Sequence, residues 1–318
     1  MTQQRREYLI KFYDRKGKET GSFNVPAGTN FDIAVFSPDD KYLATDAPDN
    51  SVAVWELSSK RLVHRFSGPG TAVLSLTFAP DRKSLAATFM GGRFSVWDLN
   101  SPNPNFEEQS QHHRPTIAFS ADGKYVAVGM QEKVVDLLDA TTGKKLETLF
   151  FPKGSIGLMT FSPNGTRLVA TTSNGDIFGW DIPNKRHFNF SEGHSNEVMS
   201  FSFSPDSKTL ATGSVDRTVK LWDVDSGKLL RTIVGHGGWV TALHFSPDGR
   251  YLLSGDADGL IKLWDMATRE LPVWPEEKPA SISATAFTPE NELIAIGRDS
   301  SDHLKLWNLS NGKTLLDL

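Results

Sequence analysis

The sequence predicts an all-β protein built from repeated units of four short antiparallel strands. Two markers recur at a spacing of about 42 residues, and no useful length of chain shows the 3.6-residue periodicity of an amphipathic helix. A fixed period of this length is typical of chains in which one supersecondary unit is repeated and stacked. The markers then define the unit strand by strand.

The first marker is a Trp-Asp pair, or a close substitute, at the end of an alternating apolar run. The intervals between successive pairs are 42, 42, 41, 42, 42, 42 and 43 residues. Such regularity indicates that each pair ends the same strand of the unit. The pairs begin at Tyr13, Trp55, Trp97, Leu138, Trp180, Trp222, Trp264 and Trp307.

The second marker is an aromatic residue followed by a turn, as in FSPDD at 36, FSPNG at 161 and FSPDG at 245. Pro, Asp, Asn and Gly favour β-turns because of their backbone preferences. An alternating run such as KTLATGS follows each turn, and a glycine turn such as DSGK after Trp-Asp precedes one more strand. A sheet of four such strands cannot bury both faces alone, so the units are expected to stack face to face, and a ring is the closed arrangement.

These residues resemble the WD-repeat family of β-propellers. The specific marks are Gly193-His194 with Trp222-Asp223 and Gly235-His236 with Trp264-Asp265, and degenerate copies cover almost all of the chain. The resemblance implies a single β-propeller domain over 1–318, made of four-stranded antiparallel blades. Residues 26–318 supply seven repeats, and residues 1–25 supply an extra two-strand unit that closes or extends the ring. Seven blades are expected, with eight blades, one of them incomplete, as the alternative.

The same resemblance implies a hydrogen-bonded tetrad of His, Ser or Thr, Asp and Trp in each well-formed unit. These side chains offer matching donors and acceptors. The first unit has Ala27 in place of the His. A general acid–base pair made of His194 and Asp216 is disfavoured, because the pattern recurs 42 residues later. Two complete tetrads are expected, one of His194, Thr212, Asp216 and Trp222 and one of His236, Ser254, Asp258 and Trp264.

Composition limits the classes of function. The 318 residues are 38% hydrophobic and 23% charged with a net charge of -4, which argues mildly against nucleic-acid binding. The absence of cysteine excludes disulfides, thiolate zinc sites and cysteine nucleophiles. No apolar leader or long apolar span is visible, so we expect a cytoplasmic location and no membrane partner. No motif predicts a cofactor, and the histidine pair at 112–113 lacks further ligands at metal-binding spacing.

The resemblance implies a non-enzymatic scaffold that presents loops and the channel mouth to a protein or peptide, as a monomeric propeller within an assembly. Trp239 either contacts that partner or covers the seam between blades, and Arg217 is either a partner contact or a solvated turn residue. One alternative function is a regulatory module of a larger polypeptide or complex, such as one associated with a kinase. A less favoured alternative is a propeller hydrolase or lactonase. The candidate partner-binding residues on the top face are Asn30, Asp32, His113, Glu197, Met199, Arg217 and Trp239.

Overall fold

The computed structural model describes strands Tyr8–Tyr13 and Glu19–Val25, then residues 33–267 apart from 48, 102, 112–114, 132 and 152–153, and finally five strands between 273 and 317. Every regular element in these parts of the chain is a β-strand. Within them no helix is long and apolar enough to cross a membrane. The chain divides into two compact units, Met1–Phe161 and Ser162–Leu318.

The first unit contains fifteen strands in chain order. They are β1 (Tyr8–Tyr13), β2 (Glu19–Val25), β3 (Ala34–Phe36), β4 (Tyr42–Asp46), β5 (Val52–Glu56), β6 (Arg61–Phe66), β7 (Val73–Phe78), β8 (Ser84–Phe89), β9 (Arg93–Asp98), β10 (Pro104–Gln109), β11 (Ile117–Phe119), β12 (Tyr125–Gln131), β13 (Val134–Asp139), β14 (Lys145–Phe150) and β15 (Ile156–Phe161).

The second unit contains the other fifteen. They are β16 (Arg167–Thr172), β17 (Ile177–Asp181), β18 (Arg186–Asn189), β19 (Val198–Phe203), β20 (Thr209–Ser214), β21 (Val219–Asp223), β22 (Leu229–Ile233), β23 (Val240–Phe245), β24 (Tyr251–Asp256), β25 (Ile261–Asp265), β26 (Val273–Trp274), β27 (Ser281–Phe287), β28 (Leu293–Arg298), β29 (Leu304–Asn308) and β30 (Lys313–Asp317).

From β3 onward, the strands form seven four-stranded sheets, each made of four consecutive strands that neighbour one another in chain order. We call these sheets blade 1 (β3–β6) to blade 7 (β27–β30). Strand pairs within them are antiparallel, as in β19 with β20 and β20 with β21. The predicted four-stranded unit is therefore confirmed. Strands β1 and β2 pair with each other as a two-stranded sheet, while blade 7 has its own fourth strand, β30.

Within each unit, apolar clusters lie between neighbouring blades, as face-to-face stacking requires. In the first unit, one buried cluster joins Val54 and Phe66 of blade 1 to Leu76 and Trp97 of blade 2. In the second unit, corresponding clusters join blade 4 to blade 5 and blade 5 to blade 6. The central strands are buried on both faces, which explains runs such as SLAATF in β8, where every residue is buried. Each sheet thus becomes stable only against its neighbours.

The Ser-Pro-Asp turns between the first and second strands are closed by their own side chains. In blade 5, the Ser204 hydroxyl donates to Asp206 Oδ1 at 2.6 Å, and Thr209 N donates to Ser204 Oγ at 2.9 Å. Blades 1, 3, 4 and 6 repeat this pattern. The residue that closes the turn has a left-handed backbone, with a φ of +71° at Gly249, which favours glycine, although Asp40, Arg82 and Ser207 adopt it in blades 1, 2 and 5. Local turn chemistry thereby fixes where these five hairpins reverse.

Candidate functional site

The tetrad of blade 5 is present as one hydrogen-bonded chain. Trp222 Nε1 donates to Thr212 Oγ1 at 2.9 Å, and Thr212 Oγ1 lies 2.7 Å from His194 Nε2. His194 Nδ1 lies 2.9 Å from Asp216 Oδ2. The chain joins β21, β20, the segment before β19 and the turn before β21. It therefore ties four parts of one blade together.

The network assigns a neutral His194 that is protonated on Nδ1. Since the hydroxyl of Thr212 accepts the indole N–H, its own proton points to Nε2, and Nδ1–H then donates to Asp216. A second proton on the ring would leave that hydroxyl without its acceptor. Burial lowers the pKa of His194 below its ordinary value, against the opposing effect of the Asp216 carboxylate. The tetrad thus favours the uncharged ring at neutral pH.

A hydroxyl, an imidazole and a carboxylate in this order also meet the distance criteria of a catalytic triad. Two observations favour a structural role instead. The Thr212 side chain is fully buried and its oxygen already accepts a hydrogen bond from Trp222, so no substrate atom can approach it. The same arrangement is repeated in blade 6 around Ser254 and His236. A reaction site would need an open position beside the nucleophile.

In blade 6 the predicted tetrad is wrong in one residue, because the carboxylate belongs to Asp256 and not to Asp258. His236 Nδ1 lies 2.8 Å from Asp256 Oδ2, His236 Nε2 lies 2.7 Å from Ser254 Oγ, and Trp264 Nε1 donates to Ser254 Oγ at 2.9 Å. Asp256 is fully buried, whereas Asp258 is exposed. The set in blade 6 is therefore His236, Ser254, Asp256 and Trp264.

The physical reason lies in the turn between β24 and β25. Asp256 stands where blade 5 has Ser214, and its Oδ1 accepts the backbone N–H of Asp258 at 3.0 Å and of Leu260 at 2.8 Å. Leu260 also replaces Thr218, whose hydroxyl holds the carboxylate of Asp216 at 2.7 Å in blade 5. Burial opposes ionisation of Asp256, but the Leu260 N–H and the His236 ring outweigh it and lower its pKa. The sequence DADG at 256–259 contained this signal, because it has a second aspartate at the end of β24, two residues before Asp258.

Blade 1 keeps part of the arrangement. Trp55 Nε1 donates to Thr45 Oγ1 at 3.2 Å, and Asp49 pairs with Arg65 at 2.8 Å. The hydrogen bonds of Asp49 to Arg65 and to the Ser51 hydroxyl lower its pKa to about 2. Ala27, at the predicted His position, lies outside the described residues. In this blade the aspartate is bound by an arginine of β6.

Four of the predicted partner-binding residues lie at one end of blades 5 and 6, and we call them the strand-entry surface: Glu197, Met199, Arg217 and Trp239. Glu197 and Trp239 directly precede β19 and β23. Their carbonyls accept equivalent hydrogen bonds, from Val215 N at 3.0 Å and from Ala257 N at 2.9 Å. The turn that carries Arg217 is thereby held beside Glu197. Asn30, Asp32 and His113 lie outside the described residues.

Trp239 is 51% exposed, although the next residue, Val240, is completely buried. Strands β19 and β23 are joined across the blade boundary where Ser200 Oγ donates to Val240 O at 3.3 Å. Met199, on the same end of β19, is 36% exposed. An aromatic and a flexible apolar side chain are thus open to solvent on neighbouring, hydrogen-bonded strands.

A metal site needs several His, Asp or Glu side chains directed at one point. Among the side chains that the structure describes, no group of three or more such residues is placed to hold a metal ion.

Fold and tetrads together define a class: an all-β repeat protein of four-stranded antiparallel blades, two of which contain a complete tetrad. The chain matches the family model "WD domain, G-beta repeat" at residues 60–98, 185–223 and 227–265. The resemblance to the WD-repeat family is thereby confirmed by three repeats of this chain.

Two curated proteins and one solved structure illustrate the similarity. The chain is 27% identical to "WD repeat-containing protein SL1-17" of Schistosoma mansoni over 51% of this chain and 54% of that protein. It is 28% identical to "Minichromosome loss protein 1" of Schizosaccharomyces pombe over 23% of this chain and 9% of that protein. The chain thus spans about half of one relative and about a tenth of the other. The crystal structure of the computationally designed Ika8 protein matches with a TM-score of 0.75 and 23% identity, over 92% of this chain and 87% of that one, which shows the fold alone.

Proposed function

We propose that the protein is a non-catalytic scaffold that binds a protein or peptide partner at the strand-entry surface, with Trp239 as the main anchor. The observation that carries this proposal is an indole that is 51% exposed on a backbone held by a hydrogen bond from Ala257. Tryptophan is enriched among the residues that dominate binding energy at interfaces. A rigid backbone beneath it lowers the entropy cost of binding.

The neighbouring side chains support selective binding. Glu197 and Arg217 are both exposed and carry opposite charges on adjacent segments of blade 5. Charged groups at the rim of an interface orient a partner and speed its approach more than they add affinity. Met199 adds an apolar contact that adapts its shape to the partner. The surface therefore combines one rigid anchor with charged groups that set the orientation of the bound partner.

The burial of both tetrads supports the non-catalytic part of the proposal. Thr212 and Ser254, the hydroxyl groups nearest to a histidine base, are completely buried and serve as acceptors for Trp222 and Trp264. Their recurrence at the repeat spacing fits fastening of the blades.

The test is capture of partners by immobilised protein, with Trp239→Ala compared with Met90→Ala. Met90 is also 51% exposed, so it is a matched control for loss of an exposed apolar side chain. We expect Trp239→Ala to weaken capture by about 30-fold or more, as for a residue worth at least about 2 kcal/mol. Met90→Ala should bind normally, and both variants should keep the melting temperature. Equal capture by wild type and Trp239→Ala would reject the strand-entry surface.

A further inference from the structure

A groove of about 460 Å³ lies between blades 5 and 6, at the end that carries the Ser-Pro-Asp turns. Its apolar floor consists of Leu221 of blade 5 and of Phe245 and Met266 of blade 6. All three belong to the core cluster between these blades or pack against it. Leu230, at the outer edge, is 57% exposed. The groove therefore gives solvent access to the apolar seam between two blades.

In blades 2 and 4, a phenylalanine covers this position. Phe188 pairs with Gly179, the residue before Trp180, and packs on the cluster that joins blades 4 and 5. Phe106 occupies the same register in blade 2, opposite Val96, and packs on the cluster that joins blades 2 and 3. In each case the outer strand supplies a ring of its own to close the seam.

Blade 5 has Arg231 at this position. Arg231 pairs with Leu221, the residue before Trp222, and Leu230 is the extra residue of a bulge in β22. The sequence interval from Phe188 to Arg231 is therefore one residue longer than the interval from Trp180 to Trp222. An arginine thus replaces the ring, and the seam beneath it stays open.

Among the described residues, one charged side chain of the groove, Arg231, has no direct ion pair. Asp206 and Asp248 each accept a hydrogen bond from the serine of their own turn, and Lys208 and Arg250 lie near enough to help lower the pKa of these carboxyls. Arg231 is half-buried and forms no ion pair or side-chain hydrogen bond within the part of the chain that the structure describes. A half-buried guanidinium is best satisfied by a carboxylate.

We propose that this groove binds a peptide segment in which an aromatic or large aliphatic side chain is followed by an acidic residue. The apolar side chain takes the place that Phe188 fills in blade 4, and the carboxylate pairs with Arg231. Phe245 ends β23 and Trp239 directly precedes its other end, which separates the two residues by about 20 Å at 3.3 Å per residue. The groove is therefore a second surface, separate from the strand-entry surface.

The test uses fluorescein-labelled peptides and fluorescence anisotropy with the full chain. The probe is GSFDSG, and its controls are GSADSG without the ring, GSFNSG without the charge and GSFKSG with the opposite charge. We expect saturable binding of GSFDSG. Each control peptide should bind with an affinity that is lower by about tenfold or more. Trp239→Ala should bind GSFDSG as the wild type does, which separates this site from the proposed scaffold surface.

Two variants of one residue complete the test. Arg231→Gln should remove the preference for GSFDSG over GSFNSG. Arg231→Phe should give blade 5 an aromatic ring where blade 4 has one, so that the groove closes and peptide binding is abolished. The melting temperature of this variant should stay equal or rise. The proposal is overturned by equal binding of all four peptides, by tighter binding of GSFKSG, by retained binding in Arg231→Phe or by no saturation below about 1 mM. It is also overturned if the free chain self-associates and Arg231→Phe prevents this, since a second copy would then be the occupant.

Discussion

Replacement of Asp256 by alanine is expected to destabilise the protein strongly, whereas the same change at Asp258 is not. Asp256 is fully buried and accepts hydrogen bonds from the His236 ring and from the backbone N–H of Leu260, both at 2.8 Å. The His236 ring is 1% exposed, so its Nδ1–H would lose its partner without access to water. One stranded buried donor costs about 1–3 kcal/mol, and with the other charge-assisted bonds the loss of unfolding free energy should reach about 3–4 kcal/mol. Asp258 is exposed, so Asp258→Ala should change it by no more than about 0.5 kcal/mol.

The assay is urea unfolding followed by tryptophan fluorescence, with amide exchange in β24 and β25 as a local readout. The local readout is needed because repeat proteins can unfold in more than one step. Asp256→Asn keeps an oxygen acceptor for His236 but loses the charge. Its free energy of unfolding should lie between those of the two alanine variants. If Asp258→Ala lost as much stability as Asp256→Ala, or more, the assignment of Asp256 to the tetrad would be refuted.

Two further predictions concern the histidines and the hydroxyl of the tetrads. Burial lowers the pKa of His194 and His236, and also of His64 and His244. As the pH falls, the unfolded chain therefore binds protons at these histidines at a higher pH than the folded chain does. This contribution to stability is complete above pH 6.5, the ordinary His value, and is lost as the pH falls below it. The melting temperature should therefore decrease from pH 7 to pH 5. The decrease of melting temperature with pH should be shallower in the double variant His194→Gln, His236→Gln. Thr212→Val should cost about 1–3 kcal/mol in urea unfolding because it strands the indole N–H and the imidazole nitrogen, whereas Thr212→Ser should cost less because it keeps the hydroxyl.

The repeat and its strands could be predicted from sequence because their determinants are local. Each Ser-Pro-Asp turn is closed by side chains within five residues, as in the bond from Thr209 N to Ser204 Oγ. Face-to-face stacking followed from the alternating apolar runs and from the inability of one four-stranded sheet to bury both of its faces. The choice between Asp256 and Asp258 could not be made by counting residues back from Trp264. Both stand in one turn, and the carboxylate that reaches His236 depends on the path of the backbone between β24 and β25.

The groove at Arg231 was hidden for a related reason. A fixed spacing of 42 residues aligns Phe188 with Leu230, but the bulge in β22 moves the equivalent position to Arg231. Only the strand register shows that the ring of blade 4 has become an arginine in blade 5. A bulge inserts a residue into one strand, so residues at a fixed sequence spacing are no longer structurally equivalent beyond it.

The candidate surfaces lie on the two blades with complete tetrads, and this has a physical explanation. Blade 2 holds Trp97 by aromatic contacts with Phe66 and Phe89, with ring centroids 5.1 and 6.3 Å apart. Such contacts pack well but fix orientation less strictly than a chain of directed hydrogen bonds. An exposed anchor such as Trp239 gains affinity when the strand beneath it does not move on binding. The tetrad of blade 6, next to that anchor, would then serve binding by holding the backbone that presents it.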